Sequence, residues 1–428
     1  MKTLRIPFFK NQKTNLLLLT GVCLVLILMV LIIQFFLIGG QNKTLRKIRI
    51  AQHIALDNYV QTLPVDDKIS QIFLVNIDGK HKYIPVEKTG ALIGNPRVGE
   101  PLVPGGVLLF SFNIGSSKEE VIEYIQSIKE YYYIHNKVPP YISIDQEGGY
   151  VNRLRGITDM LPSAKTVASE YSLEEASTLY AIQAKQMAEL GFSLNLAPVA
   201  EIETKFNKDF LDTRSFGSLE QVASYGTVQI QQFKAQKIGS AIKHFPGNTN
   251  LDPHTGLPEI SVNANELNST YIEPFKRLMP YADAVLMSHA RINVTDNPAA
   301  DSQTPACLSE YWVKRVIRGE LGFDGLVISD DIFMNALVKN GYDTEKAAVS
   351  AVNAGVDVIM ISEKRFGDVA KILLEHCEND PNFATKLDRA CRHVIEYKIK
   401  NGLFRYQLIG RNKLGPMYEL VPCRPEEK

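Results

Sequence analysis

Eight short runs of nearly unbroken apolar residues, each parted from the next by a longer amphipathic stretch, constrain the fold of this chain more than any other feature. They cover 71–77 (QIFLVNI), 106–111 (GVLLFS), 141–145 (YISID), 192–198 (FSLNLAP), 239–245 (GSAIKHF), 282–288 (ADAVLMS), 325–330 (GLVISD) and 356–362 (VDVIMIS). A strand with one solvated face alternates apolar and polar residues. A run that is apolar throughout suits a strand covered on both faces, as in a parallel sheet. The intervening stretches read as helices. Residues 116–136 place Val121, Tyr124, Ile125 and Ile128 at helical spacing, and 172–191, 218–239 and 343–355 each open on Ser or Asp with an acidic first turn and close on Gly. Strands alternating with helices from 65 to 405 predict an α/β fold of the (β/α)8, TIM-barrel type. The rival is an open doubly wound sheet, and its dinucleotide-binding version is weakened because no G-x-G-x-x-G turn follows the first run.

Ahead of this domain, residues 16–38 are apolar and uncharged, interrupted by Thr20, Gly21 and Gln34. As a helix the run is ~34 Å long, enough to span a bilayer. It exceeds the apolar core of a cleaved signal peptide, ~7–15 residues, so an uncleaved transmembrane anchor is expected. Lys2, Arg5, Lys10 and Lys13 precede it, while Lys43, Arg46, Lys47 and Arg49 follow it. This nearly balanced charge sets orientation weakly. A short basic N-terminus on a first helix favours a cytoplasmic N-terminus with the large domain outside. The expected organisation is a basic N-terminus (1–15), an anchor (16–38), a stalk and leading helix (39–64), the barrel (65–405) and a C-terminal tail (406–428).

The 428 residues balance 47 basic against 47 acidic side chains. That excess of neither sign gives no support to a nucleic-acid partner. The five cysteines, Cys23, Cys307, Cys377, Cys391 and Cys423, are widely spaced and form no C-x-x-C pair, so neither a zinc site nor a disulfide framework is expected. No metal or cofactor is implied. The oligomeric state is not legible.

A parallel barrel gathers its reactive side chains at the C-terminal ends of its strands. Six such places carry polar or charged residues: Asp145-Gln146-Glu147 after the third run, Asp212 and Arg214 after the fourth, Lys243-His244 ending the fifth, Asp252 and His254 beyond it, Ser288-His289 ending the sixth, and Asp330-Asp331 ending the seventh. Six on one rim are hard to attribute to solvation alone.

These residues carry a resemblance. SIDQEGGYVNRL, NLAPVAEI, DTRSFG, AIKHFPGN, DPHTGLP, LMSHARI and ELGFDGLVISDDIFMNAL, in that order, resemble the successive motifs of glycoside hydrolase family 3, above all its single-domain β-N-acetylglucosaminidase branch. The resemblance implies retaining exo-hydrolysis of terminal β-linked N-acetylglucosamine from cell-wall or chitin-type oligosaccharides. It implies Asp330 as nucleophile, and His254 with Asp252 as the acid/base pair. Asp145, Arg214, Lys243, His244 and His289 are the implied sugar-binding residues. Imidazole suits the acid/base part because it titrates near neutrality, and an aspartate beside it fixes its tautomer. Asp331, next to the nucleophile, is expected to point away and cap the following helix. Two departures stand out: the loop before Asp252 is two residues shorter than is usual in the family, and Tyr150 stands where arginine is common. The alternatives are a β-glucosidase, an N-acetylglucosaminide phosphorylase, and a membrane-tethered glycan-binding protein with little or no catalysis.

Overall fold

The computed structural model describes residues 43–84, 102–252, 256–333 and 335–425. The expected transmembrane run lies outside these residues, as do His254 and the stretch 85–101. Among the described residues no helix is long and apolar enough to cross a membrane.

All eight apolar runs form strands: β1 (Phe73–Asn76), β2 (Gly106–Leu109), β3 (Tyr141–Ile144), β4 (Leu194–Asn195), β5 (Gly239–Phe245), β6 (Ala284–Met287), β7 (Leu326–Ile328) and β8 (Ile359–Ser362). Every pairing between them is parallel, in the spatial order β7-β6-β5-β4-β3-β2-β1-β8. The two ends of that sheet meet at an Ile328–Val358 bridge. Across the same seam the N–H of Asp357 and that of Ser329 donate, at 2.9 Å each, to the carbonyls of Val327 and Val358. The strands therefore form a barrel. Asp357, 1% exposed, strengthens the seam: its carboxylate accepts from the N–H of Val327 at 2.8 Å and pairs with His393 at 2.7 Å and with Arg318. β2 and β3 are buried at every position, as their unbroken apolar sequence requires.

The helices follow their punctuation. α1 (Lys118–Ile134) starts at Ser117, whose side chain accepts from the N–H of Glu120. α2 (Leu173–Leu190) starts in a reciprocal Ser172–Glu175 capping box and ends at Gly191, whose φ of 99° a side chain would strain. α3 (Leu219–Ala235) repeats the box with Ser218 and Gln221, and α4 (Thr344–Ala354) runs from Asp343 to Gly355. Two later helices, α5 (Glu363–Asn379) and α6 (Pro381–Lys400), complete the layer outside the strands. An added pair of short parallel strands, Glu259–Val262 beside Arg291–Val294, was not visible in the sequence, where its in-and-out burial blurs into the flanking loops.

The chain divides into two compact units. The barrel belongs entirely to the unit built on Leu56–Arg405 and Leu420 onward. The other unit contains the chain up to Ala55, helical from 43 within the described part, together with Tyr406–Glu419. The region expected to be a C-terminal tail is thus folded: Phe404–Asn412 and Gly415–Pro422 pair as a hairpin, with Tyr406 and Tyr418 edge-to-face at 5–7 Å centroid spacing (6.1 Å).

Candidate active site

At the C-terminal end of the strands lies a cavity of about 530 Å³. Six of the eight residues expected at the site line it: Asp330, Asp252, Asp145, Arg214, Lys243 and His244. They arrive from β3, β5 and β7 and from the loops after β4 and β5. Consecutive residues of a regular strand point to opposite faces. Lys243 and His244 nevertheless both line the cavity, because the pairing of β5 with β6 slips register between Lys243 and Phe245.

Buried charges organise one wall. Lys243 Nζ lies 2.6 Å from Asp145 Oδ1 and 2.6 Å from Glu147 Oε1. Arg214 meets the same Glu147 with two parallel bonds, Nε to Oε2 at 2.8 Å and Nη2 to Oε1 at 2.9 Å. Burial alone would raise the carboxyl pKa of Glu147, but Lys243 and Arg214 outweigh it and hold the group well below the usual carboxylate range. The same carboxylates, Asp145 and Glu147, hold the Lys243 ammonium above its ordinary value against the opposing effect of burial. Two cations and two anions thus balance in a largely buried cluster on the cavity wall. Their positions are fixed before any ligand arrives.

A second buried carboxylate orients the histidine. Glu201, 3% exposed, accepts from Nδ1 of His244 at 2.8 Å and from the N–H of Asn248 at 2.6 Å. With Nδ1–H turned to the carboxylate, neutral His244 keeps Nε2 as an acceptor. Asn248 also lines the cavity, and among the described residues its buried Oδ1 has no hydrogen-bond partner. Phe210 packs beneath both groups, 5.5 Å from the Arg214 guanidinium and 6.2 Å from the His244 ring.

Across the barrel, Asp330 stands two residues past the end of β7. Its Oδ1 accepts from the N–H of Asp331 at 2.8 Å. Burial, followed by the charge of Asp330, pushes the Cys307 thiol well above its ordinary value. Asp331 was expected to point away from the cavity, yet it lines it, because strand alternation ends with β7 at Ile328. Its Oδ1 does take up the expected capping of a following N–H, that of Phe333 at 2.9 Å.

His289 occupies a different place from the one expected of a sugar ligand. It is fully buried and absent from the cavity lining. Its Nδ1 lies 3.1 Å from Cys307 Sγ and its Nε2 lies 3.0 Å from the carbonyl of Asp331. It braces the Asp330-Asp331 backbone from behind. His254 lies outside the described residues, while its expected partner Asp252 is at the cavity edge. Sequence reasoning placed Glu147 on the rim without giving it a role, and it did not single out Glu201 or Asn248. All three sit inside the quoted motifs, but nothing in a linear string marks a glutamate as buried beneath a cation.

Comparison with known proteins gives one answer. The family description "Glycosyl hydrolase family 3 N terminal domain" matches residues 64–397. The chain is 31% identical over 324 residues to a β-hexosaminidase of Haemophilus influenzae, covering 73% of this chain and 86% of that protein. Among solved structures it resembles a glycoside hydrolase family 3 β-N-acetylglucosaminidase from a Paenibacillus species. That match has a TM-score of 0.70 and 27% identity over 79% of this chain and 63% of the other. A β-N-acetylhexosaminidase from Beutenbergia cavernae shares the fold, with a TM-score of 0.66 and 24% identity over 78% of this chain and 98% of the other.

Proposed function

The chain belongs to glycosyl hydrolase family 3, and from that premise we propose that it removes terminal β-linked N-acetylglucosamine from cell-wall or chitin-type oligosaccharides with retention of configuration. The single observation that carries this reading is the placement of Asp330 on the same cavity as the Asp145–Lys243–Glu147–Arg214 cluster, in a chain related to β-hexosaminidases.

In the proposed reaction the Asp330 carboxylate attacks the anomeric carbon while the glycosidic C–O bond breaks. His254 gives its proton to the departing oxygen, and Asp252 stabilises the imidazolium. The glycosyl ester on Asp330 is then opened by water. His254, now neutral, takes the water proton, and the sugar leaves with two inversions and net retention. Asp145, Lys243, Arg214 and His244 bind the sugar hydroxyls. Their pairing with buried carboxylates and with one another supports this role, since prepaired donors and acceptors need no rearrangement when the sugar enters. His289 acts on the reaction through the backbone that carries Asp330. Residues 16–38 anchor the enzyme in a membrane, with the barrel on the extracytoplasmic side.

The test is an activity panel with wild-type protein and the Asp330→Ala variant. Release of N-acetylglucosamine from a chromogenic β-glycoside by the wild type, lost in the variant, is the expected result. Turnover of the β-glucoside instead, or formation of a sugar 1-phosphate that requires added phosphate, would redirect the reading to a glucosidase or a phosphorylase. Saturable sugar binding with no turnover of any β-hexosaminide would sink it in favour of a glycan-binding protein. Protease accessibility in intact cells decides the side on which the barrel lies.

A further inference from the structure

The unit outside the barrel carries a charge unlike the rest of the molecule. The whole chain is neutral. Residues 43–55 contain Lys43, Arg46, Lys47 and Arg49 with no acidic residue, and 406–419 contain Arg411 and Lys413 against Glu419, so the described part of this unit is +5 (four plus two minus one). Among the described residues none of these six cations is paired with a carboxylate.

The same surface also carries exposed apolar side chains. Leu414, at the turn of the hairpin, is 83% exposed, and Leu408 and Ile409 on the first strand are half-exposed. On the helical stretch Lys47, Ile50 and Ile54 follow at spacings of three and four and so share one side, with both isoleucines half-exposed. Helix and hairpin meet there: a Cβ built on Gly415 would sit 3.4 Å from Cβ of Lys47. A two-stranded hairpin is marginal alone, and among the described residues the apolar side chains at its tip are left largely unburied.

We propose that the helical segment 43–55 and the hairpin tip around Leu414 form a docking surface for an anionic lipid bilayer. Leucine and isoleucine side chains enter the acyl boundary, and the flanking lysines and arginines sit among headgroup phosphates. Three candidate occupants can be weighed. A second copy would bring +5 against +5, which opposes association. A nucleic acid would satisfy the cations but leave Leu414 in water. A bilayer with anionic headgroups satisfies both. Sequence continuity agrees, because the apolar run 16–38 ends five residues before Lys43.

The experiment uses the full chain in phospholipid vesicles, either purely zwitterionic or containing phosphatidylglycerol, with brominated acyl chains as quencher. The native Trp312 is wholly buried, so Leu414→Trp supplies a reporter at the tip and Met160→Trp, at an exposed position on the barrel, supplies the control. The Leu414→Trp signal is expected to lose intensity to lipid bromine in phosphatidylglycerol vesicles. That loss should vanish in zwitterionic vesicles, at high salt, and with Arg411→Glu and Lys413→Glu added, while Met160→Trp stays unquenched throughout. Equal quenching in both lipid compositions overturns the proposal, as does a tip tryptophan fully open to acrylamide in both. So does a dimer that shields the tip in solution. Flotation of the chain with the vesicles reads the 16–38 anchor separately. A chain that floats with its tip still open to acrylamide refutes the surface alone, and one that does not float refutes both.

Discussion

Replacing Glu147 with glutamine tests the charge cluster while keeping its shape. Glu147 Oε1 receives Arg214 Nη2 at 2.9 Å and Lys243 Nζ at 2.6 Å, and Oε2 receives Arg214 Nε at 2.8 Å. A glutamine that puts its carbonyl oxygen at the Oε1 position keeps two of these bonds. Its amide nitrogen then faces Arg214 Nε, donor against donor, and the flipped amide is worse. The cluster passes from two cations and two anions to an excess of one buried positive charge. Removing one partner of a buried ion pair costs about 3–5 kcal/mol. Because Lys243 keeps Asp145 at 2.6 Å, the lower end applies. At roughly 2 °C per kcal/mol for a large domain, the melting midpoint should fall by about 6 °C. The Arg214 guanidinium, repelled at Nε, shifts, and a misplacement on the order of 1 Å at a proposed sugar-binding group costs about 100-fold in kcat/KM.

The pH dependence gives the sharper readout. The folded-state pKa of Glu147 lies well below the usual range, since Lys243 and Arg214 outweigh the opposing effect of burial. A carboxylate of this kind contributes stability that is fully present above its unfolded value, about 4.3, and is lost as pH falls through the folded value. Glu147→Gln lacks that contribution at every pH. The gap between wild type and variant should therefore be full at pH 7 and narrow progressively below about pH 4. Thermal melts across that range, with kinetics on a chromogenic β-N-acetylglucosaminide at neutral pH, measure all three effects. A midpoint within about 1 °C of wild type together with unchanged kcat/KM, or a gap that widens in acid, would refute the reasoning.

Three further outcomes are expected. His254→Ala should lower turnover about 10²- to 10⁴-fold on substrates with a poor leaving group and far less on an activated aryl glycoside; equal losses on both would remove it from the acid/base role. Asp330→Ala should be inactive, yet recover turnover with added azide and release a glycosyl azide of inverted configuration; no rescue together with residual retaining hydrolysis would dismiss Asp330 as nucleophile. Lys398 is wholly buried and donates to Gln71 Oε1 at 2.5 Å, and burial pulls its pKa down to about 7. Between that value and about 10.4 the folded form holds fewer protons than the unfolded form, so its destabilising effect is full below pH 7 and fades as pH rises. Lys398→Met should therefore stabilise the protein most below pH 7, and denaturant melts showing a benefit that grows toward pH 10 would contradict this.

The barrel was legible because burial on both faces leaves an unbroken apolar run, a signal that survives without neighbours. Its strand ends were less so. The run 325–330 yields a strand only from Leu326 to Ile328, because Ser329 turns its Oγ to the N–H of Met360 and Asp330 faces the cavity. The positions of Asp330, Lys243 and Arg214 followed from the strand-end rule, but what holds them did not. Whether Glu147 is solvated or buried beneath cations, and whether Glu201 is solvated or buried against an imidazole, depends on residues nearly 100 and over 40 positions away, respectively (Lys243 to Glu147, and His244 to Glu201). His289 was misplaced for a related reason. Histidine at a strand end reads the same whether its ring enters the cavity or packs behind a backbone carbonyl. The hairpin at 404–422 escaped notice because, apart from Phe404 and Leu420, its apolar residues are at least partly exposed, so no burial pattern announced the strands.

The carboxylates on the cavity differ in what restrains them, and this difference bears on the chemistry. Among the described residues six line it: Asp145, Glu147, Asp209, Asp252, Asp330 and Asp331. Glu147 is clamped by Lys243 and Arg214 together and Asp145 by Lys243, and an oxygen held by a cation is a poor nucleophile because attack requires breaking that contact. Asp331 spends Oδ1 on the N–H of Phe333. Asp209 sits exposed on a single helical turn, where water competes for its lone pairs. Asp330 is held at one oxygen by the adjacent N–H of Asp331 and, among the described residues, by no cation. It is oriented without being neutralised, and its surroundings leave an oxygen able to form a bond to carbon. The clamped pair suits the opposite task of holding hydroxyls whose positions must not change during the reaction. This division supports a nucleophile on β7 and a binding wall on β3 to β5. It leaves proton transfer to a group brought in by the loop that begins at Asp252.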